Sequence, residues 1–68
     1  MKDASGKPIT PGATLKRIVE NHSAPADHEY TVILYDFYGN GKEDLVADGG
    51  FIKELLDLER AKEYEVLS

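Results

Sequence analysis

The residues best suited to chemistry lie in one short segment near the middle of the chain, residues 36–44. Asp36, Asn40 and Asp44 recur at every fourth position, and Gly41 follows the second of them. Oxygen ligands at this spacing can surround a hard cation such as Ca²⁺ when a glycine allows the sharp turn between them. The segment is therefore a candidate calcium loop, with the three polar side chains as ligands.

This segment resembles the calcium loops of EF-hand, dockerin and VCBS-type repeats, but it departs from them at two ligand positions. Tyr38 stands at the third position of the loop, and Ala47 stands at the twelfth, where an EF-hand has a bidentate glutamate. A plain β-turn explains the same residues, because Asn40-Gly41 is the strongest short hairpin signal. We therefore predict a turn without metal or cofactor, and calcium binding is the alternative.

No arrangement of side chains in the sequence predicts catalysis. His22 and His28 lie near Asp27 and Glu29, but their spacing matches no known set of metal ligands. The serines and threonines do not stand in a nucleophile elbow, and a chain of 68 residues has little room for both a catalytic triad and a substrate pocket. We predict that the protein is not an enzyme.

Length and composition predict one small domain over residues 1–68. The chain is 41% hydrophobic and 31% charged, which is typical of globular proteins. It has no cysteine, no signal-peptide pattern, and no apolar run near the ~20 residues that span a membrane. These features predict a cytoplasmic protein that does not bind membranes.

Negative charge is concentrated in the last third of the chain. Of the net charge of −5, residues 43–68 carry eight acidic side chains against three basic ones. Such a surface repels nucleic acid and attracts basic partners, so we predict a protein partner, with a basic one favoured. Tyr38 is a candidate binding residue, because tyrosine is enriched at interface hot spots. Four acidic residues complete the candidate binding set: Glu54, Asp57, Glu59 and Glu63.

The hydrophobic pattern predicts three strands. Residues 29–37 are nearly all β-formers and are apolar on both faces, which predicts a central strand whose middle, residues 32–34, is buried. Residues 43–47 return as a second strand after the Asn40-Gly41 turn. Residues 64–67 form a short closing strand.

A helix is predicted over residues 51–62. One apolar stripe at helical spacing is formed by Phe51, Ile52, Leu55, Leu56 and Leu58. Arg60 suits the last turn, where cations interact favourably with the helix dipole. The four acidic candidates would lie on or just beyond this helix. Those that face away from the stripe would point to water.

Residues 13–22 fit two structures. A stripe at helical spacing, formed by Leu15, Ile18, Val19 and His22, favours a helix. The preceding Pro11-Gly12 turn and several β-branched residues favour a strand. In a strand, Leu15 and Arg17 would share one face.

The two ends of the chain show a family resemblance that favours the strand. The opening resembles the D-x-x-G-K-x-I-x-x-G start of small phage and prophage proteins, the YopX-like ones among them, and Tyr64-Glu65-Val66 resembles the short strand that ends such chains. In those proteins the opening pattern leads into the first strand of a β-rich domain. The residues that carry the opening pattern are Asp3, Gly6, Lys7, Ile9 and Gly12. The resemblance implies an accessory protein of a phage or mobile element.

Together these elements predict a mainly β (α+β) fold, a small SH3-like curled antiparallel sheet or barrel with one C-terminal helix. The predicted function is a non-enzymatic protein-interaction module. A calcium-binding module and an acidic DNA-mimic inhibitor are the alternatives.

Overall fold

The computed structural model describes residues 1–19 and 28–67. These residues form five strands and one short 3-10 turn in a single antiparallel sheet, in the order β4-β3-β2-β1-β5. The strands are β1 Thr14–Arg17, β2 Glu29–Tyr35, β3 Asp44–Asp48, β4 Lys53–Leu55 and β5 Tyr64–Val66, and the 3-10 turn is Arg60–Glu63.

Strands β1 to β4 lie side by side in chain order, and β5 returns to the far side of β1. The register pairs Leu15 with Tyr30 between β1 and β2, and Val46 with Leu55 between β3 and β4. Strand β5 pairs with β1 after the 3-10 turn, with Tyr64 opposite Arg17. Strands β4 and β5 are therefore the two edges of the sheet.

The fold class predicted from the sequence is wrong. The structure is all-β and its five strands form one open sheet, not an SH3-like barrel or sheet with a C-terminal helix. Of the helix predicted over residues 51–62, residues 53–55 form β4 and residues 60–63 form only the 3-10 turn. Phe51 and Leu58, two members of the apolar stripe, are 60% and 73% exposed. The helix does not form because residues 52–56 hydrogen-bond to β3 as a strand. This pairing outweighs the helical spacing of the apolar side chains.

The strand predictions fare better. Strands over residues 29–37, 43–47 and 64–67 are confirmed as β2, β3 and β5. For residues 13–22, β1 supports the strand and not the helix. Residues 20–22 of this segment lie outside the described part. The predicted burial of residues 32–34 is wrong for Leu34, which is 51% exposed. Beyond residue 32, β2 pairs with β3 alone, so this end of the strand has a neighbour on one side only.

The core lies on one face of the sheet, called here the inner face. Side chains alternate between faces along a strand, so the register places Leu15, Tyr30 and Ala47 together on this face. The N-terminal segment and the 3-10 turn add apolar side chains to it. The buried cluster contains Ile9, Ala13, Leu15, Tyr30, Val32, Ala47, Leu56, Ala61 and Tyr64.

The N-terminal segment is fastened by the buried carboxylate of Asp3. Its Oδ1 accepts hydrogen bonds from the backbone N–H groups of Ser5 and Lys7, at 2.9 and 2.7 Å, and its Oδ2 accepts one from Val66 of β5 at 2.7 Å. Burial acts to raise the pKa of Asp3, but these three backbone hydrogen bonds outweigh it and hold the pKa below its ordinary value. Asp3 is therefore a carboxylate that holds a turn to the sheet.

Over the described ranges, 1–19 and 28–67, no helix has the length and apolar character needed to cross a membrane.

Candidate binding edge at strand β4

The candidate calcium loop is a turn closed by Asp36. Its two carboxylate oxygens accept hydrogen bonds from the backbone N–H groups of Asn40 and Gly41, at 3.0 and 2.9 Å. Asn40 Oδ1 in turn accepts one from the N–H of Lys42, and Asp44 lies in β3. In the part of the chain that the structure describes, no three His, Asp or Glu side chains are grouped to hold a metal ion. Asp36 and Asn40 thus have a structural role as hydrogen-bond acceptors in the turn.

Tyr38 and His28, two further candidates from the sequence, lie in different parts of the structure. Tyr38 lies at the turn with 66% of its surface exposed, and its ring contacts Phe37 edge-on at 5.5 Å between ring centres. His28 Nε2 lies 2.9 Å from the carbonyl oxygen of Gly49. His22 and Asp27 lie outside the described residues.

A buried ionic network crosses the inner face. Arg17 is fully buried, and its guanidinium donates from Nη1 to Glu54 Oε1 and from Nη2 to Glu63 Oε1, each at 2.5 Å. The Tyr64 hydroxyl also donates to Glu54 Oε1, and the guanidinium lies over the Tyr64 ring, 5.2 Å from its centre. Burial, together with the hydrogen bond to Glu54, raises the pKa of Tyr64. The charge of Glu54 is therefore compensated inside the protein.

This network changes the role of the four acidic candidates. Without the predicted helix, Glu54 and Glu63 turn towards Arg17, whereas Asp57 and Glu59 are exposed. Arg17 was missed from the sequence, because arginine is mostly found at the surface. The available signal was strand alternation, which places Arg17 on the same face as the buried Leu15.

Strand β4 leaves half of its backbone groups directed away from the sheet. The N–H of Gly49 donates to the carbonyl of Ile52 at 2.9 Å, and the N–H of Leu56 donates to the carbonyl of Leu45 at 3.0 Å. Hydrogen bonding alternates along an antiparallel pair, so the N–H and C=O groups of Lys53 and Leu55 point away from β3. No strand of the described chain lies beyond them.

The opposite edge of the sheet is covered. The carbonyl of Tyr64 accepts a hydrogen bond from the N–H of Ala4 at 3.0 Å, and the N–H of Val66 donates to Asp3. The backbone groups of Tyr64 and Val66 point away from β1, because those of Glu65, the residue between them, hydrogen-bond to β1. Within residues 1–19 and 28–67, β4 is thus the edge at which the backbone is open.

A groove of about 290 Å³ follows the open edge. Its lining runs along β4 from Ile52 to Asp57, and Phe37 from the β2–β3 turn and Arg60 from the 3-10 turn form its other walls. Apolar surface comes from Phe37, Ile52 and Leu55. The groove is lined by Phe37, Ile52, Lys53, Glu54, Leu55, Asp57 and Arg60.

The groove lining carries two cationic and two acidic side chains, Lys53, Arg60, Glu54 and Asp57. Lys53 lies opposite Asp48 in the register, but its Nζ is directed to the ring of Tyr35, 5.3 Å from the ring centre. Arg60 is paired with Glu54 and Glu63, at 3.6 and 3.8 Å. Among the described residues Asp57 forms no ion pair, so it is the acidic side chain of the groove whose charge is left without a partner.

Comparisons with known proteins assign neither a family nor a site. The chain matches no protein-family model, no curated protein and no solved structure.

Proposed function

We propose that this chain is a non-enzymatic protein-interaction module that binds an extended segment of a partner as an added strand along β4. The observation that supports this function is the open edge, where Lys53 and Leu55 each present a backbone donor and an acceptor beside a groove. An extended peptide adds to such an edge through main-chain hydrogen bonds, and pockets beside the edge select its side chains.

The backbone alone would bind too weakly for a specific complex. The two outward residues offer at most four hydrogen bonds, each with a net contribution of about 1 kcal/mol. A total of about 4 kcal/mol corresponds to a Kd of about 1 mM. Contacts in the groove, with Phe37, Ile52 and Leu55 as its apolar surface, must therefore supply the rest of the affinity.

The short edge also limits unspecific pairing. Natural edge strands avoid aggregation by being short and by carrying lysine, and β4 has three residues with Lys53 at its start. A partner must therefore fit the groove as well as the backbone. Selectivity of this kind suits a recognition module.

The cellular setting belongs to the same proposal. The opening pattern from Asp3 to Gly12 supports an accessory protein of a phage or mobile element, acting in the cytoplasm and without nucleic acid or membrane as its target. Its partner is a protein. In this structure Asp3 holds a turn and Gly6 adopts a positive φ of 85°, so these pattern residues serve the fold and not the binding edge.

The experiment compares Lys53→Pro with Lys53→Ala. Both variants lose the lysine side chain, but only proline also removes the backbone N–H that points away from the sheet. Because the N–H of Lys53 does not donate to β3, proline at this position leaves the hydrogen bonds between β3 and β4 intact. Peptides are selected on the wild-type protein from a displayed library of random ten-residue peptides, and their Kd values for both variants are then measured. We expect Lys53→Pro to weaken binding at least about tenfold relative to Lys53→Ala, through the lost hydrogen bond and the blocked approach of the strand.

Hydrogen exchange provides a readout that does not depend on how well the proline variant folds. Binding of a selected peptide to the wild-type protein should slow exchange at the amides of Lys53 and Leu55. Protection confined to the Gly39–Lys42 turn would contradict the proposal. Equal binding by the two Lys53 variants, without protection of the β4 amides, would also contradict the proposal. A library that yields no binding peptide would contradict it as well.

A further inference from the structure

We infer that the segment added at β4 is basic, with a lysine or arginine side chain at the Asp57 end of the groove. This inference rests on the proposed function and adds the chemistry of the partner. The site would then bind short basic segments in an extended conformation.

The charges that remain uncompensated at the groove determine this chemistry. Glu54 is paired with Arg17 at 2.5 Å and with Arg60 at 3.6 Å, and Arg60 is also 3.8 Å from Glu63, so these charges compensate one another within the protein. Asp57 uses Oδ1 to accept the N–H of Arg60 at 2.7 Å, and its Oδ2 forms no hydrogen bond with the described residues. One carboxylate oxygen, Asp57 Oδ2, is therefore free at the place where an added strand would pass.

An aromatic wall favours a cation at the same end. Phe37 lines the groove and is partly exposed, at 38%. A lysine or arginine over an aromatic face is attracted by the ring, and its aliphatic stem packs against apolar surface. Phe37 and Asp57 therefore provide matching contacts for the stem and the charged head of one side chain.

The register places this side chain within the partner strand. In an antiparallel addition, one partner residue forms the hydrogen-bonded pair with Leu55, and the residue two positions further along lies beside Asp57. Side chains two positions apart share a face. The expected pattern is an apolar residue beside Leu55 and a cationic residue two positions away.

A second copy of this chain is a weaker candidate for the same edge. Each copy carries a net charge of −5, so two copies repel each other, and an acidic segment would be repelled in the same way. A basic segment is attracted to the protein as a whole and to the Asp57 end in particular. Charge complementarity therefore favours the basic partner.

The test uses three nine-residue peptides of alternating threonine and valine that differ at one position, where they carry arginine, glutamate or glutamine. Their Kd values are measured for the wild-type protein, Asp57→Asn and Glu29→Gln. Asparagine keeps an oxygen that can accept the N–H of Arg60, so Asp57→Asn removes the charge and preserves the turn. Glu29→Gln removes one exposed charge on β2, outside the groove.

We expect the arginine peptide to bind the wild-type protein about fivefold more tightly than the glutamine peptide, and the glutamate peptide to bind most weakly. Asp57→Asn should remove most of this difference, whereas Glu29→Gln should preserve it. Added salt should reduce the advantage of arginine, because it screens exposed charges.

The outcomes separate the two claims. If the three peptides bind equally and Lys53→Pro abolishes all binding, the basic partner is refuted and strand addition stands. If none binds at about 1 mM, or if Lys53→Pro has no effect on binding, both claims fall. A dimer seen by sedimentation without peptide, and lost in Lys53→Pro, would replace the basic partner with a second copy.

Discussion

Arg17 Nη1 donates a hydrogen bond to Glu54 Oε1 at 2.5 Å, and this contact joins β1 to β4 across the inner face. Two strands separate β1 from β4 in the sheet, and three strand spacings of about 4.8 Å would hold them about 14 Å apart if the sheet were flat. Tyr64 of β5 lies four spacings from β4 and its hydroxyl also donates to Glu54, which a flat sheet would not allow, so the sheet is curved around this network. The position of the open edge depends on a residue at the other side of the core.

Replacing Arg17 by Met should destabilise the protein by about 3–5 kcal/mol, because it leaves Glu54 and Glu63 with only the more distant, partly exposed Arg60 as a cation. Chemical denaturation monitored by circular dichroism measures the loss. The double variant Arg17→Met/Glu54→Gln should recover part of it, since the buried negative charge is then also removed. A single variant within about 1 kcal/mol of the wild type would show that the network does not hold the fold.

Stability should fall at acidic pH through Asp3. Its pKa in the folded protein lies below the unfolded value of about 3.9, so its contribution is complete above about pH 4 and is lost as pH falls through the folded pKa. Asp3→Asn should therefore be less stable than the wild type at pH 7, and the difference should shrink below pH 4. The control is Asp36→Asn, because Asp36 accepts backbone hydrogen bonds in an exposed turn. Parallel pH profiles for the wild type and Asp3→Asn would rule out this role.

Leu56 and Leu58 distinguish the strand from a helix over the same residues. Leu56 is buried in the core and Leu58 is 73% exposed, so Leu56→Ala should cost about 2–4 kcal/mol and Leu58→Ala less than about 0.5 kcal/mol. Thermal unfolding of the two variants gives the comparison. A helix that buries the apolar stripe would bury both leucines, so a loss for Leu58→Ala as large as that for Leu56→Ala would count against β4.

Phe37 and Tyr38 are neighbours in one exposed turn, but only Phe37 lines the groove. Phe37→Ala should weaken binding of a β4-directed peptide about fivefold or more, through the lost apolar and cation–π contact, while Tyr38→Ala should leave the Kd unchanged. Isothermal titration provides both values, and thermal unfolding checks that each variant folds. Binding that depends on Tyr38 and not on Phe37 would move the site to the tip of the turn.

The parts of the fold that were predictable depend on local signals. The β2–β3 hairpin follows from a run of β-formers and the Asn40-Gly41 turn, and both signals lie within the hairpin itself. The error over residues 51–62 has a non-local cause. Glu54 is held in β4 by Arg17, which lies 37 positions earlier, and no local pattern carries that information.

The binding residues predicted from the sequence and the groove have two members in common, Glu54 and Asp57, whereas Tyr38, Glu59 and Glu63 do not line it. Glu54 and Asp57 were selected for their charge and not for a place at a sheet edge. That β4 forms an open edge follows from the strand order, which depends on long-range pairing. Phe37 was missed as a groove residue, because the predicted strand placed it at the end of a buried run.

The hydrogen bonds from Ala4 to Tyr64 and from Val66 to Asp3 also limit how far assembly can go. A sheet with two open edges can recruit chain after chain and grow into a fibril. In the described part of this chain one edge is already occupied, so a strand added at β4 finds no matching edge on the far side. Assembly through backbone pairing must then stop after one step, as a one-to-one complex or a closed pair, even at high concentration.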